Sequence, residues 1–376
     1  MRALGMAVWL GACSFTTPKP AQITGDGPPP SDTNIPDVDA PPATPLCPAN
    51  ELGLADTCMT ALPTSDVTFN SVDDLDTDSD GRCDQTITSV CWIAGVNVIV
   101  TNGALVEVHG ARALVVDGMT SITIDGGIDT SSTVLFSTIG GPASNGSECK
   151  PTTPATVDGG GGGGGAGGSF GDKGGDGGDV ADTGQPHAGA GKASSAVVPT
   201  LLQGGCSGGP GANTGAAPGR GGGAVYFVSP AISIESMGVV NGSGAGGSGA
   251  TSSNRGGGGG GSGGLIAFDT PNLTINMAAQ LFANGGGGGQ GSGGLDGGDG
   301  IDPVDPGHGG VGGTGATGGG AGGDGGLRGT AAKVGLKGGP SGPTGGGGGG
   351  GSAGVIVMFH GTAPVTGAVS PAFTQR

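Results

Sequence analysis

The sequence predicts an all-β chain, a right-handed parallel β-helix-like solenoid with long Gly-rich insertions and a small disulfide-bearing N-terminal cap. Three observations predict it. The first is an apolar unit that occurs four times. It reads Ala113-Leu-Val-Val-Asp with Ile122-Thr-Ile and Ile128, then Ala224-Val-Tyr-Phe-Val with Ile232-Ser-Ile and Val239-Val-Asn. The third and fourth copies are Leu265-Ile-Ala-Phe-Asp with Leu273-Thr-Ile and Leu281-Phe-Ala, and Val355-Ile-Val-Met-Phe with Val365 and Val369. Each copy holds a strand, a turn, an alternating triplet and a third apolar step, about twenty residues in all, the length of one solenoid coil. The second observation is apolar–polar alternation in Val, Ile and Thr with no helical period of useful length. The third is unequal spacing. Units beginning at 114, 225, 265 and 355 fit fixed coils with variable excursions at one corner better than they fit propeller blades. The repeat names neither a ligand nor a reaction.

Composition sets the outer limits. With 95 Gly and 26 Pro in 376 residues, the chain lies where low complexity becomes the default. Apolar residues still make up 34% and gather in the repeated units, enough for one slim core. Net charge is −17, and the 13 Lys and Arg are scattered singly, which excludes nucleic acid as a partner. Aromatic residues are 3%, too few for a stacking surface.

Taken in order, residues 1–12 read as a signal peptide: Arg2 precedes a short apolar stretch ending Leu10-Gly-Ala-Cys13. Those four residues resemble the bacterial lipobox. The resemblance implies cleavage before Cys13, acylation of its sulfur and new amino group, and, with Ser14 following, passage to the outer membrane. A plain signal peptide is the alternative. The apolar stretch is too short to span a bilayer. Residues 13–46, rich in Pro, Asp and Thr, read as an extended tether. Residues 47–91 form the Cys-bearing cap, and 92–372 the solenoid, with excursions over about 134–222, 242–262 and 285–352.

Setting Cys13 aside leaves six cysteines, an even set suited to an oxidising compartment. Nearest-neighbour pairing gives Cys47–Cys58, Cys83–Cys91 and Cys149–Cys206. The excursions hold order only if their backbone amides pair with one another or with the coils, because ordering Gly costs more backbone entropy than ordering any other residue. Stacked polyglycine II segments are one way to do so.

From Cys83 onward the layout resembles a group of Gly-rich exported proteins and lipoproteins of myxobacterial type, sometimes labelled PE-PGRS-like. The matching segments include Arg112-Ala-Leu-Val-Val-Asp, Gly159 to Gly171, Leu202-Gln-Gly-Gly-Cys206, Gly221-Gly-Gly-Ala-Val-Tyr and Ser262-Gly-Gly-Leu-Ile. The helical domain that defines the PE-PGRS proteins is missing. The coils also resemble those of haemagglutinin-type adhesins and pectate-lyase-like proteins. The resemblance implies export and a surface location, and little chemistry.

The strongest motif for chemistry is Asp76-Thr-Asp78-Ser-Asp80-Gly-Arg-Cys-Asp84. Carboxylates at positions 1, 3 and 5 with Gly at 6 suit a Ca²⁺ loop, although Ile87 stands where an EF-hand has Glu; the spacing resembles thrombospondin type 3 or dockerin-like loops, which use Asp at position 9, here Asp84. An acidic turn is the alternative, and no other cofactor is implied. Gly297-Gly-Asp-Gly-Ile-Asp302 matches one isolated calcium β-roll repeat, a match expected by chance in so Gly-rich a chain. Asp117, Asp125, Asp129 and Arg112 lie where a β-helix lyase would keep ligands and a base, yet Asp at corners is ordinary turn chemistry. The four His are far apart, and no Ser-His-Asp set appears. The expected function is therefore non-catalytic: a cell-surface lipoprotein with a structural, adhesive or matrix role. Its expected partners are the membrane, through a lipid anchor, and extracellular polysaccharide or matrix. The alternative is a calcium-dependent protein that binds or cleaves carbohydrate.

Overall fold

A computed structural model describes residues 52, 54, 62–84, 87–134, 140–180, 189–315, 317–340, 344–361 and 365–376. Every regular element among them is a strand. The first part of the chain supplies β1 (Val67–Phe69), β2 (Val72–Asp76), β3 (Val90–Val100), β4 (Leu105–His109), β5 (Ala113–Ile124) and β6 (Gly127–Asp129). A small hairpin follows, β7 (Val157–Asp158) with β8 (Gly161–Gly162). The next two units give β9 (Ala224–Val228), β10 (Ile232–Ile234) and β11 (Val239–Asn241), then β12 (Leu265–Asp269), β13 (Leu273–Ile275) and β14 (Gln280–Phe282). The last strands are β15 (Val355–Phe359), β16 (Ala368–Ser370) and β17 (Phe373–Gln375).

Equivalent positions of the repeated unit stack in register. Leu114 pairs with Val225, Val225 with Ile266 and Ile266 with Ile356, all in parallel. One sheet runs β1-β3-β5-β9-β12-β15-β17, with β10 and β13 continuing beside the second half of β5. The other runs β16-β14-β11-β6-β4-β2. Period-two alternation sends Leu114, Val116, Val225, Phe227, Ile266 and Phe268 into a core shared with Ile128, Val240 and Leu281 of the second sheet. The opposite face of the first sheet buries Val115, Tyr226, Leu265 and Ala267 against Leu52, Leu54, Phe170 and Val197. Burial on both faces explains why β9 and β12 read as nearly continuous apolar runs.

The solenoid expectation needs correcting. The strands are parallel and the two described disulfides form, but the strands do not close into a solenoid; they make two open parallel sheets. The reason lies in the route between units. After Asp129, Asn241 and Phe282 the chain leaves for Gly-rich tracts and returns at Ala224, Leu265 and Val355, so no continuous strand wall winds around the core. The cap also extends the stack, because β1 and β2 pair in parallel with β3 and β4.

The tracts themselves are ordered. In residues 256–264, Gly257, Gly260 and Gly263 donate their N–H groups to the carbonyls of Gly346, Gly349 and Ser352. Gly258, Gly261 and Gly264 donate to Ser248, Ala245 and Gly242, while Gly256, Gly259 and Ser262 donate to Ala212, Gly209 and Cys206. The carbonyls of the same segment accept from residues 165 and 168, from 216, 219 and 222, and from 286 and 289. Successive amides thus point about 120° apart, which is polyglycine II geometry with three residues per turn. Segments 285–292 and 345–352 repeat the arrangement, and the result is a bundle of close-packed rods. A Cβ on Gly259 would clash with the carbonyl oxygen of Ala166, and one on Gly261 with that of Arg220.

Candidate functional site

Cys13, Cys47 and Cys58 lie outside the described residues. Cys83–Cys91 joins the loop after β2 to β3, and Cys149–Cys206 closes a 57-residue separation beside the rods. The Asp-rich loop does not converge on a point. Asp76 Oδ1 accepts the Asp78 N–H at 3.0 Å, and Asp78 Oδ2 accepts the Ala111 N–H at 2.8 Å. Asp80 is bound by the Arg82 guanidinium, which also binds Asp73, and the Asp84 N–H donates to the Trp92 carbonyl. Among the described residues no group of three or more His, Cys, Asp or Glu is gathered as a metal ion would need. The Arg82 hydrogen bond is the main cause holding the Asp80 carboxyl below its ordinary value.

The isolated β-roll match has a different use. Asp296, Asp299 and Asp302 stand three residues apart along one rod, and their Oδ1 atoms accept the N–H groups of Ser252, Gly249 and Gly246, each at 2.7 Å. Asp176 and Asp179 do the same for Ala193 and Ala190, and Asp324 for Gly312. These carboxylates take the amides that face outward from the bundle, where no further rod supplies a carbonyl.

Arg112, Asp117, Asp125 and Asp129 are not brought together. Arg112 points to the cap, with Nη1 3.2 Å from the Ile87 carbonyl. Asp125 donates its N–H to Val100 at the turn after β5. Asp117 is 2% exposed on the first sheet, and its Oδ2 has no partner. Burial pushes its carboxyl up to about 7; the neighbouring Trp92 opposes this shift and Asp269 adds to it. Asp269, in turn, accepts a hydrogen bond from the Tyr226 hydroxyl at 3.0 Å and meets His360 Nδ1 at 3.0 Å. His360 holds the left-handed backbone region at φ 56°. The Asp269–His360–Tyr226 group was not singled out from the sequence, although aligning the units places Asp117 and Asp269 at the same repeat position.

A further open feature is the outer face of the second sheet. Register aligns Asp74 with Glu107, Glu107 with Asp129 and Asp129 with Asn241 across four parallel strands. Neighbouring strands are about 4.8 Å apart, so these side chains form a straight row along the stack. His109 Nε2 lies 3.0 Å from Asp74 Oδ1 at one end. Two adjoining hollows of about 350 and 450 Å³ share Asp129, Ser131 and Thr133 in their walls. The second also has Leu105, Val239 and Val304, and among the described residues no Lys or Arg lines either hollow.

No protein-family model matches the chain, and neither the curated proteins nor the solved structures contain a match to it. The geometry offers a hydrogen-bonded backbone lattice, a buried carboxyl (Asp117) on the same sheet face as Asp269, and an open acidic face.

Proposed function

We propose that this chain is a non-catalytic cell-surface lipoprotein with a structural, adhesive or matrix role, carried at the outer membrane by an acylated Cys13. The observation that supports this reading best is where its polar groups are used. Rod amides meet rod carbonyls, and many of the acidic side chains that could do chemistry accept outward amides of the bundle. A lattice of this kind resists bending and keeps its shape at the end of a Pro-rich tether. Metabolic labelling with an alkynyl fatty acid tests the reading. The wild-type chain is expected in the outer-membrane fraction carrying label, and Cys13→Ser is expected to lose both. An unlabelled wild-type chain in the cytosol would end this reading.

A second reading, cleavage of polysaccharide, draws on one observation: a carboxyl raised by burial to about 7 (Asp117) shares a sheet face with a second carboxylate (Asp269). Incubating the purified chain with acidic polysaccharides and calcium decides it. Release of unsaturated or reducing ends that Asp269→Asn abolishes would favour it, and no release would remove it.

A further inference from the structure

We propose that the outer face of the second sheet binds a linear polymer of amino sugars carrying free amines. The proposal rests on the adhesive or matrix reading and names its partner. Among the described residues the sheet face is open over β2 and β4 and partly covered over β6 and β11 by Asp302, Pro303 and Val304, and what it presents is regular. Asp74, Glu107, Asp129 and Asn241 occupy one register row, so acceptors recur at each strand, about 4.8 Å apart. A regular row along one axis suits a partner that repeats along its own axis.

Charge decides the sign of that partner. Three carboxylates of the row face the groove with no Lys or Arg among its described walls, on a chain of net charge −17. Glu107, at the centre, is exposed and has no hydrogen-bond or ion-pair partner among the described residues, which leaves its carboxylate for an ammonium group. Asp74 is half-committed to His109, and Asp129 Oδ1 accepts the Ser131 N–H at 2.9 Å, which fixes its orientation and leaves Oδ2 for a ligand. The same groove carries hydroxyls on Ser131 and Thr133, matching a partner rich in hydroxyls, and apolar walls at Leu105 and Val239 for the C–H faces of sugar rings. Asp302 is a neighbour rather than a ligand, because Gly246 and Val134 already donate to it. Among the described residues that line the groove the aromatic ring is that of buried Phe282, so the amines carry the proposed affinity.

The test is calorimetric titration of the full-length chain with a glucosamine hexamer at low salt and about pH 5.5, where exposed carboxylates remain ionised. Binding is expected to weaken about tenfold or more in Glu107→Gln combined with Asp129→Asn, and several-fold on raising salt. The N-acetylated hexamer, with the same backbone and no charge, is expected not to bind. Both substitutions sit on an exposed or half-exposed face, and an unchanged thermal midpoint would show that folding is intact. Equal binding by the double variant, or by the acetylated hexamer, overturns the proposal. So does spermine binding as tightly as the hexamer, which would make the face a reader of charge alone. Because the titration uses purified protein, it does not depend on where the chain is anchored. A cytosolic location would remove the envelope reading and leave this result standing.

Discussion

At the scale of single residues, Asp117 is the most consequential side chain. Its folded-state value is raised to about 7 from an ordinary 3.8, so the folded chain keeps a proton that the unfolded chain releases. The penalty is absent below about pH 4, grows between pH 4 and 7, and reaches about 4 kcal/mol above that. Asp117→Asn is therefore expected to stabilise the protein at pH 8 by a few kcal/mol and leave it nearly unchanged at pH 4. Urea midpoints of the two proteins across pH would measure this, and parallel profiles would count against it. Removing a carboxylate that accepts a rod amide is expected to destabilise instead. Asp299→Ala leaves the Gly249 N–H without its acceptor and is expected to cost about 1–2 kcal/mol.

At the scale of elements, strands and rods obey different rules. A strand needs side chains; a polyglycine II rod needs their absence. Gly261→Ala places a methyl against the Arg220 carbonyl and is expected to destabilise by about 1–3 kcal/mol. Gly81→Ala, with open space around its Cβ, is expected to be close to neutral, and thermal midpoints of the pair would separate the two cases. The contrast also explains what could be read in advance. The strands were legible because Leu114, Val225, Ile266 and Ile356 differ from their polar or small neighbours and so mark a register. The rods were legible only as an option, since a run of identical residues has no landmark to say which Gly donates to which carbonyl. One signal did carry the three-residue period: Asp296, Asp299 and Asp302 on one rod, and Asp176 and Asp179 on another. Asp299 and Asp302 of the first set fall in the segment that matches a calcium repeat by chance. The Asp269–His360 contact was hidden because it joins residues 91 apart across an excursion.

At the scale of the whole molecule, two crosslinks hold different lengths of chain. Cys149–Cys206 spans 57 residues and Cys83–Cys91 spans 8, so removing the first pair by Ser substitution is expected to cost about 4 kcal/mol and the second about 2.5. Denaturant midpoints of the two double variants would rank them, and an inverted order would show that the unfolded chain retains structure around the longer loop. The closed solenoid failed as an expectation at this same scale, since the unit repeat specifies which strands stack but not what fills the path between them. A rod advances one full turn every three residues, so its amides regain their original aim after each triplet. Sequence drift in these tracts is thereby ratcheted: gain or loss of three residues lengthens or shortens a rod without rotating its far end, whereas one or two would swing every later donor toward the wrong neighbour. Length variants of this protein should therefore differ by multiples of three within the glycine tracts, a periodicity unrelated to the reading frame of the gene.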